Sequence, residues 1–527
     1  MGLWLAGVRV PSPAPFCFLE TKNLVLHLEC CRAKCFSLKS AVSNTPVAFF
    51  MKEYDLILIG TGSGMELVET MIQEKPEMRV AVIDKDEPGG ICLTRGCIPS
   101  KLLIYPAEVA RTVEKSSEFG IHTEIKRIDF EAIMERMRSI INRDINRIRN
   151  GLSHSKNITY YADQAEFTGP RIIKVGNETI TSKMIFLSTG SKPSIPTIPG
   201  LQETGYLTSD TILKISRLPR SIAIIGGGYI AAEYGHFLSA MGSKVTIIGR
   251  NPQFIPEEEP EVSALSKREL QKHVTVLTNH AVRKAETVPE GKKLTVVNRS
   301  NEKETEIVAE EILVAVGRVS NSDILHPEKA GIETDAQGFI VANEYMQTSQ
   351  PNIWVLGDAD GKFMFKHVAN YEARIVYFNA VLNKKIKADY HAVPHAVFTD
   401  PEIASVALRE KEAIEKYGRD NLLIGFYKYA DTAKGEAMAR KDDFVKVIIK
   451  RDTGKILGAH IIGPQASVLI QEIVNLMYTE KQDLAPLNEA MHIHPALSEV
   501  VARAFSSLMT LDQYHHFLEE HSNLPLE

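Results

Sequence analysis

Cysteine is scarce in most of this 527-residue chain. Beyond residue 50 there are two, Cys92 and Cys97; the other four, Cys17, Cys30, Cys31 and Cys35, fall in the first fifty residues. A body with two cysteines cannot carry the disulphide framework of a small secreted protein, and it suits a reducing compartment, the cytoplasm. No apolar run reaches the ~18 residues of a membrane span. Neither sign of charge dominates: 61 Lys and Arg stand against 66 Asp and Glu, a net charge of −5. The basic residues are scattered, so no nucleic-acid or membrane-surface footprint is expected. No metal centre is expected either. Cys92 and Cys97 have no further cysteine in the body to complete four zinc ligands, and "CCRAKC" (30–35) has no second ligand pair nearby.

What is present is ample apolar content, 44% of residues, in a chain long enough for two to four domains. The first fifty residues contain "VPSPAPF" and no clear period, and are expected to be an unstructured extension upstream of the true start of the fold. A targeting peptide is the alternative, although Glu20 and Glu29 are unusual in a mitochondrial presequence. At Met51 the character changes. "YDLILIGTGSGMEL" is an apolar strand running into a turn with Gly60, Gly62 and Gly64, then a helix. "SIAIIGGGYIAAEYGHFLSAMGSKVTIIGR" repeats the plan with Gly226 and Gly228. Each predicts a βαβ unit in which glycines let the backbone approach a pyrophosphate at a helix N-terminus. Two such units imply two dinucleotides.

The residue about twenty positions on tests each unit. The first has Asp84, placed for ribose hydroxyls. The second ends with Gly249 and Arg250, where no carboxylate would repel a 2′-phosphate; this leans to NADP over NAD. The alternative is an ordinary surface arginine after a strand. The first turn departs from the usual pattern at Met65, where a third glycine or alanine is expected and Gly64 stands one position early.

"GGICLTRGCIPSK" (89–101) holds the cysteine pair. In an ideal helix, residues five apart have Cα atoms roughly 8.6 Å from one another, beyond the ~7 Å a disulphide tolerates. A bridge therefore requires a distorted segment, and Gly96 and Pro99 permit one. A strained short-loop disulphide is easily reduced, which suits redox catalysis. A structural bridge and a pair of free buried thiols remain the other readings.

The segment resembles the redox-disulphide motif of the class I pyridine nucleotide–disulphide oxidoreductases, the family of dihydrolipoamide dehydrogenase, glutathione reductase, mycothione reductase and mercuric reductase. "GTGSG", "LSTGSKP" (187–193), "GGGYIAAE" (226–233), "VAVGRVSN" (314–321), "VLGDADG" (355–361) and "HIHPALSE" (492–499) carry the resemblance from 51 to about 508. It implies roles. Cys97 would lie nearest the flavin as the charge-transfer thiolate, and Cys92 would be the interchange thiol. Lys101 would approach the flavin and pair with Glu233. Asp358 would bind the ribityl chain and Ala165 the adenine end of FAD, with Gly190 in the same site. Val282 and Gly317 would line the nicotinamide-dinucleotide site, and Tyr229 matches a gating tyrosine. His494 and Glu499 fit the family's His–Pro–x–x–x–Glu pair, a base able to take and return a thiol proton; the following proline selects His494 over His492. In the family this base comes from the other subunit, so an obligate homodimer is implied.

The expected fold is α/β: two Rossmann-like dinucleotide-binding domains plus a C-terminal α+β dimerisation domain. FAD would bind 51–195 and 318–390, NAD(P) 196–317; 391–510 would form the interface and 511–527 a tail. The expected activity moves electrons between a nicotinamide dinucleotide and a dithiol or disulphide through FAD and Cys92–Cys97. Dihydrolipoamide, free or on a lipoyl domain, leads as substrate, from the "IPSK" ending and "HPALSE". An NADPH-dependent reductase like mycothione reductase is the alternative, from "GTGSG", "GRVSN", "KHVANYEAR", "FTDPEIA" and "IHPALSEVV". Mercuric reductase is disfavoured because no cysteine follows Cys97. Thr94 and Arg95 replace the usual Asn–Val between the cysteines, which bears on substrate contacts. A non-catalytic flavoprotein subunit of a 2-oxoacid dehydrogenase complex is the alternative of another class.

Overall fold

The structure, a computed structural model, describes residues 51–521; the extension expected over 1–50 lies outside them. Two five-stranded parallel sheets repeat one plan. The first has the order 353–355, 185–187, 56–59, 80–83, 158–161, and the second 207–208, 311–314, 221–225, 244–248, 275–277. Their inner strands, such as "LILI", "VAVI" and the "IAII" of Ser221–Ile225, are continuous runs of apolar residues and are buried. Strands covered on both faces require such runs, where a one-faced sheet would show alternation. In both sheets the strand that ends at a glycine turn is central, at the point where strand order reverses, and ligands of open α/β sheets bind there.

A two-stranded antiparallel ribbon, Ser191–Pro193 with Arg318–Ser320, brackets the stretch that contains the second sheet. Smaller sheets accompany each parallel one: a four-stranded mixed sheet that includes Ala165–Gly169, and a three-stranded antiparallel sheet of 280–288, 291–298 and 304–309. The C-terminal part is a six-stranded antiparallel sheet in the order 394–397, 403–407, 456–462, 444–450, 422–428, 508–509. The helices Ala466–Met477 and Ser498–Ser506 share a core with it, through Ile473, Val500, Val501 and Phe505.

The stretch expected to be a tail from 511 is instead a helix, Leu511–His521. Tyr514 on it is fully buried beside Phe426, and its hydroxyl donates to Glu261 at 2.5 Å. Phe517 and Leu518, apolar and one turn from Tyr514, give the stretch the amphipathic period of a packed helix. The same spot holds a buried ion cluster. Lys446, 1% exposed, lies 2.5 Å from Glu261, 2.8 Å from Glu410 and 3.4 Å from Glu259, so the helix Pro260–Leu270 is tied to the C-terminal sheet. Among the described residues no helix is long and apolar enough to cross a membrane.

Candidate active site

The glycine turn after the strand Leu56–Ile59 is shaped by contact. Gly60 has φ +99°, and a Cβ there would lie 2.1 Å from the Ser188 carbonyl oxygen. A Cβ on Gly64 would lie 2.5 Å from Leu58, so this glycine lets the helix Gly64–Glu74 close on its strand, the task the pattern assigns one position later. Gly62 faces open space with only the Ser188 hydroxyl within reach of a Cβ, at 3.7 Å. The turn opens on a cavity of about 1030 Å³ lined also by Asp84, Ala165, Gly190 and Asp358. A long cavity against a glycine turn at the sheet's switch point fits a dinucleotide such as FAD. Asp84 is engaged inside the protein as well. It accepts from the Thr61 N–H at 2.8 Å and the Thr61 hydroxyl at 2.5 Å, and from the Asp86 N–H at 3.0 Å.

The cysteines line the same cavity. Cys92 belongs to the short helix Gly90–Thr94 and Cys97 opens the long helix Cys97–Lys115. Arg95 and Gly96 between them leave helical geometry, with φ −155° and −125°, so the pair does not sit on one continuous helix. Gly96 is needed at the break, since a Cβ there would lie 2.9 Å from the Ile91 carbonyl oxygen. The structure holds the pair as two free thiols. A hydrogen bond from Cys92 lowers the Cys97 pKa to about 6; burial opposes this, and Lys101 supports it. Cys92 is pushed far up, first by its bond to Cys97 and then by burial. The two shifts run in opposite directions, so ionisation of the pair is favoured at Cys97 over Cys92. Arg95 lines the cavity and is held by two carboxylates. Its guanidinium is 2.6 Å from Asp86 and 3.2 Å from Asp210. Thr94 donates to the Gly90 carbonyl.

One turn into the long helix, Lys101 meets Glu233, and both line the cavity with Tyr229. Tyr229 and Glu233 belong to the helix Tyr229–Met241, which follows the second glycine turn. Burial raises the Tyr229 phenol pKa, which keeps it protonated as a hydrogen-bond donor. Across the cavity Asp358 accepts from the Ser191 hydroxyl at 2.5 Å, and Arg318 donates to that hydroxyl at 2.6 Å and to the Ser191 carbonyl at 2.9 Å.

The remaining expected residues lie elsewhere. Gly226, with φ +138°, abuts the Ala315 carbonyl oxygen, 2.1 Å from a Cβ, while Gly228 has nothing within 4 Å. This open turn at a helix N-terminus fits the pyrophosphate of a second dinucleotide. Arg250 is exposed beside it, Val282 lies on the strand His280–Val288 across from Val296, and Gly317 accepts from the Ser194 N–H. None of these lines the large cavity. His494 and Glu499 are joined, Nδ1 to Oε1 at 2.9 Å, and Glu499 also accepts from the Ala496 N–H at 3.1 Å. These bonds lower the Glu499 pKa, the one from His494 foremost. The imidazole is 73% exposed, and it too is absent from the cavity wall.

Sequence reasoning missed several groups in this wall. Arg318 in the wall, and Ser191 behind it, stood inside the quoted motifs without a role, and only the ribbon pairing brings them to Asp358. Phe398, with its ring 4.5 Å below the Lys101 ammonium, and His395, bonded at 2.7 Å to Glu258, come from the C-terminal sheet. No local signal marks either.

Residues 54–373 match the pyridine nucleotide-disulphide oxidoreductase profile, and residues 393–505 match the dimerisation domain of the same enzymes. The chain belongs to the pyridine nucleotide-disulphide oxidoreductases, a family of flavoproteins that use a pyridine nucleotide. It is 35% identical over 477 residues to mycothione reductase of Mycobacterium tuberculosis, covering 87% of this chain and 100% of that protein. It is 32% identical over 469 residues to dihydrolipoyl dehydrogenase of Chlamydia muridarum, covering 88% and 98%. The HOCl-induced flavoprotein disulfide reductase RclA from Escherichia coli, in a Cu(II) complex, superimposes with a TM-score of 0.77 at 27% identity, over 86% of this chain and 99% of that one.

Proposed function

We propose that this chain is an FAD-dependent, NADPH-driven reductase of a low-molecular-weight disulphide, working as a homodimer. The observation that carries the redox assignment is the placing of Cys92, Cys97, Lys101 and Glu233 in one wall of the cavity that the first glycine turn opens. A flavin bound there supplies two-electron transfer between the reduced nicotinamide and the Cys92–Cys97 disulphide. The residues do the rest. Cys92, on the short helix, attacks the substrate S–S bond, and the first substrate thiolate leaves with a proton. The Cys97 thiolate then attacks Cys92 in the mixed disulphide, which releases the second thiolate and restores the Cys92–Cys97 bond. The sum is one disulphide and one NADPH, with one proton, giving two thiols and NADP⁺.

The proton donor and acceptor is the partner's His494, held by the partner's Glu499. The pair in this chain is exposed and outside its own cavity. The loop that carries it also presents Met491, 101% exposed, and Ile493, 78% exposed. Two bare apolar side chains beside a solvent-facing His–Glu pair, within the stretch matched to the dimerisation domain, support a contact with a second copy.

Gly249 followed by Arg250 favours NADPH, and NADPH favours reduction of a disulphide over the oxidation of dihydrolipoamide expected from the motifs. Dihydrolipoamide oxidation with NAD⁺ stays as the second reading, supported by "HPALSE" and by the likeness to dihydrolipoyl dehydrogenase. The test is anaerobic flavin reduction by NADPH, NADH and dihydrolipoamide, followed by turnover with a panel of low-molecular-weight disulphides. Higher kcat/KM for NADPH with a disulphide than for dihydrolipoamide with NAD⁺ is expected. The reverse order would establish the second reading, and a flavin that none of these donors reduces would leave a non-catalytic subunit.

A further inference from the structure

The second dinucleotide unit offers a 2′-phosphate one cation in its own loop. Arg250 follows Gly249, and residues 251–259, "NPQFIPEEE", add no second basic side chain. The fold brings an arginine to the loop from another direction. Arg299 follows directly on the strand Gly291–Asn298, whose antiparallel partner His280–Val288 begins two residues beyond Thr278. The Arg299 N–H donates to the Asn279 carbonyl at 2.8 Å, and the Asn279 N–H donates to the Asn251 carbonyl at 2.7 Å. From this anchored backbone the Arg299 side chain reaches the loop itself: Nη1 donates to the Arg250 carbonyl oxygen at 2.8 Å.

Charge is the second observation. Some exposed arginines have a carboxylate partner, Arg149 in Glu87, Arg283 in Glu302 and Arg419 in Asp512, and others, such as Arg136, Arg147 and Arg171, have none among the described residues. Among the described residues neither Arg250 nor Arg299 has one; the bond to the Arg250 carbonyl occupies a single donor of the Arg299 guanidinium. A guanidinium has five N–H donors in a planar fork suited to phosphate oxygens. Two such forks, one fixed by a tether, flank a strand end where Gly249 offers no carboxylate.

We propose that Arg299 is the second arm of a 2′-phosphate clamp, acting with Arg250 to select NADPH over NADH. This rests on the NADPH reading above and names the residue that completes it. Arg299 is a specificity determinant that touches the adenosine end of the coenzyme and stands apart from the redox groups. An acid introduced at 249 would test the idea poorly, because a Cβ there would lie 3.2 Å from Gly227 Cα and crowd the glycine turn.

The experiment is calorimetric binding of 2′,5′-ADP and of 5′-AMP to the full-length holoenzyme, as wild type and as Arg299→Ala, Arg299→Lys, Arg250→Ala and the double variant Arg250→Ala with Arg299→Ala. Arg299→Ala should weaken 2′,5′-ADP by about ten- to a hundredfold, the range of a charge-assisted contact, and leave 5′-AMP unchanged. Arg299→Lys should fall between. A role confined to bracing Arg250 would cause no further loss of 2′,5′-ADP binding when Arg299→Ala is added to Arg250→Ala, and that result, like equal weakening of both ligands by Arg299→Ala, overturns the proposal. If Arg250→Ala alone weakens 2′,5′-ADP, Arg299 has no part while the NADPH reading stands. If the wild type binds the two ligands equally, the NADPH reading falls and the clamp with it.

Discussion

The Lys101 ammonium lies 2.8 Å from each carboxylate oxygen of Glu233. The bond joins the helix that begins with Cys97 to the helix that follows the second glycine turn. Glu233 is also fixed by the Phe398 N–H at 3.1 Å, so three parts of the chain meet at one carboxylate. Its effect on the redox pair is electrostatic: Lys101 favours the Cys97 thiolate and Glu233 disfavours it.

In the reduced enzyme, alkylation of Cys97 should therefore rise with pH through a midpoint of about 6, where the hydrogen bond from Cys92 places its pKa. Below that value the thiol is protonated and slow. Lys101→Met removes the cation and should move the midpoint up by about one pH unit or more. Rates of iodoacetamide labelling against pH, with Cys97 followed by peptide mass, measure both. A midpoint near the ordinary thiol value of about 8.5 in the wild type would contradict the assignment.

His494→Ala should lower kcat by about 10² to 10⁴, the usual loss for a general acid–base. Because the base is assigned to the partner, mixing inactive His494→Ala with inactive Cys92→Ser should restore activity in hybrid dimers. One of the two sites would then combine intact cysteines with an intact histidine. Hybrids verified by native mass that stay inactive would place the base elsewhere.

Lys446→Met should destabilise the fold by about 3–5 kcal/mol, because buried Glu259 and Glu261 and the partly buried Glu410 lose their common cation. Burial alone would raise the Glu261 pKa and lower that of Lys446, but their attraction reverses both: Glu261 is lowered and Lys446 is raised well above its usual value. The sign for Glu261 follows. Its contribution is present above the ordinary glutamate range and is lost as pH falls through its depressed value. Denaturant unfolding of the two proteins should thus differ most near neutrality and converge in acid. An equal difference at every pH would separate the effect from Glu261.

The two glycine turns and the cysteine segment were legible in the sequence because each rests on a local backbone demand. Gly60 and Gly226 each abut a carbonyl oxygen, and Gly96 marks the kind of helix break that a Cys92–Cys97 bridge would need. The Lys101–Glu233 pair, 132 residues apart, came from the family resemblance. Contacts without a motif stayed hidden. Ser191 meets Arg318 across 127 residues and Asp358 across 167, Glu258 meets His395 across 137, and Arg299 meets Arg250 across 49. Nothing in a hydroxyl or a charge names its distant partner. The helix Leu511–His521 was missed for a related reason. It was expected as a tail, and its anchor, Tyr514, gains meaning only from Glu261 and Phe426.

The central claim is that Cys92 and Cys97 form the redox centre fed by the pyridine nucleotide. Its most direct test is a thiol count on the denatured protein before and after anaerobic NADPH, with alkylated peptides mapped by mass. Before reduction the pair should be closed and both residues unlabelled; after one equivalent of NADPH, Cys92 and Cys97 should both be labelled. Thiols that do not change with NADPH, or new label on any other cysteine, would contradict it.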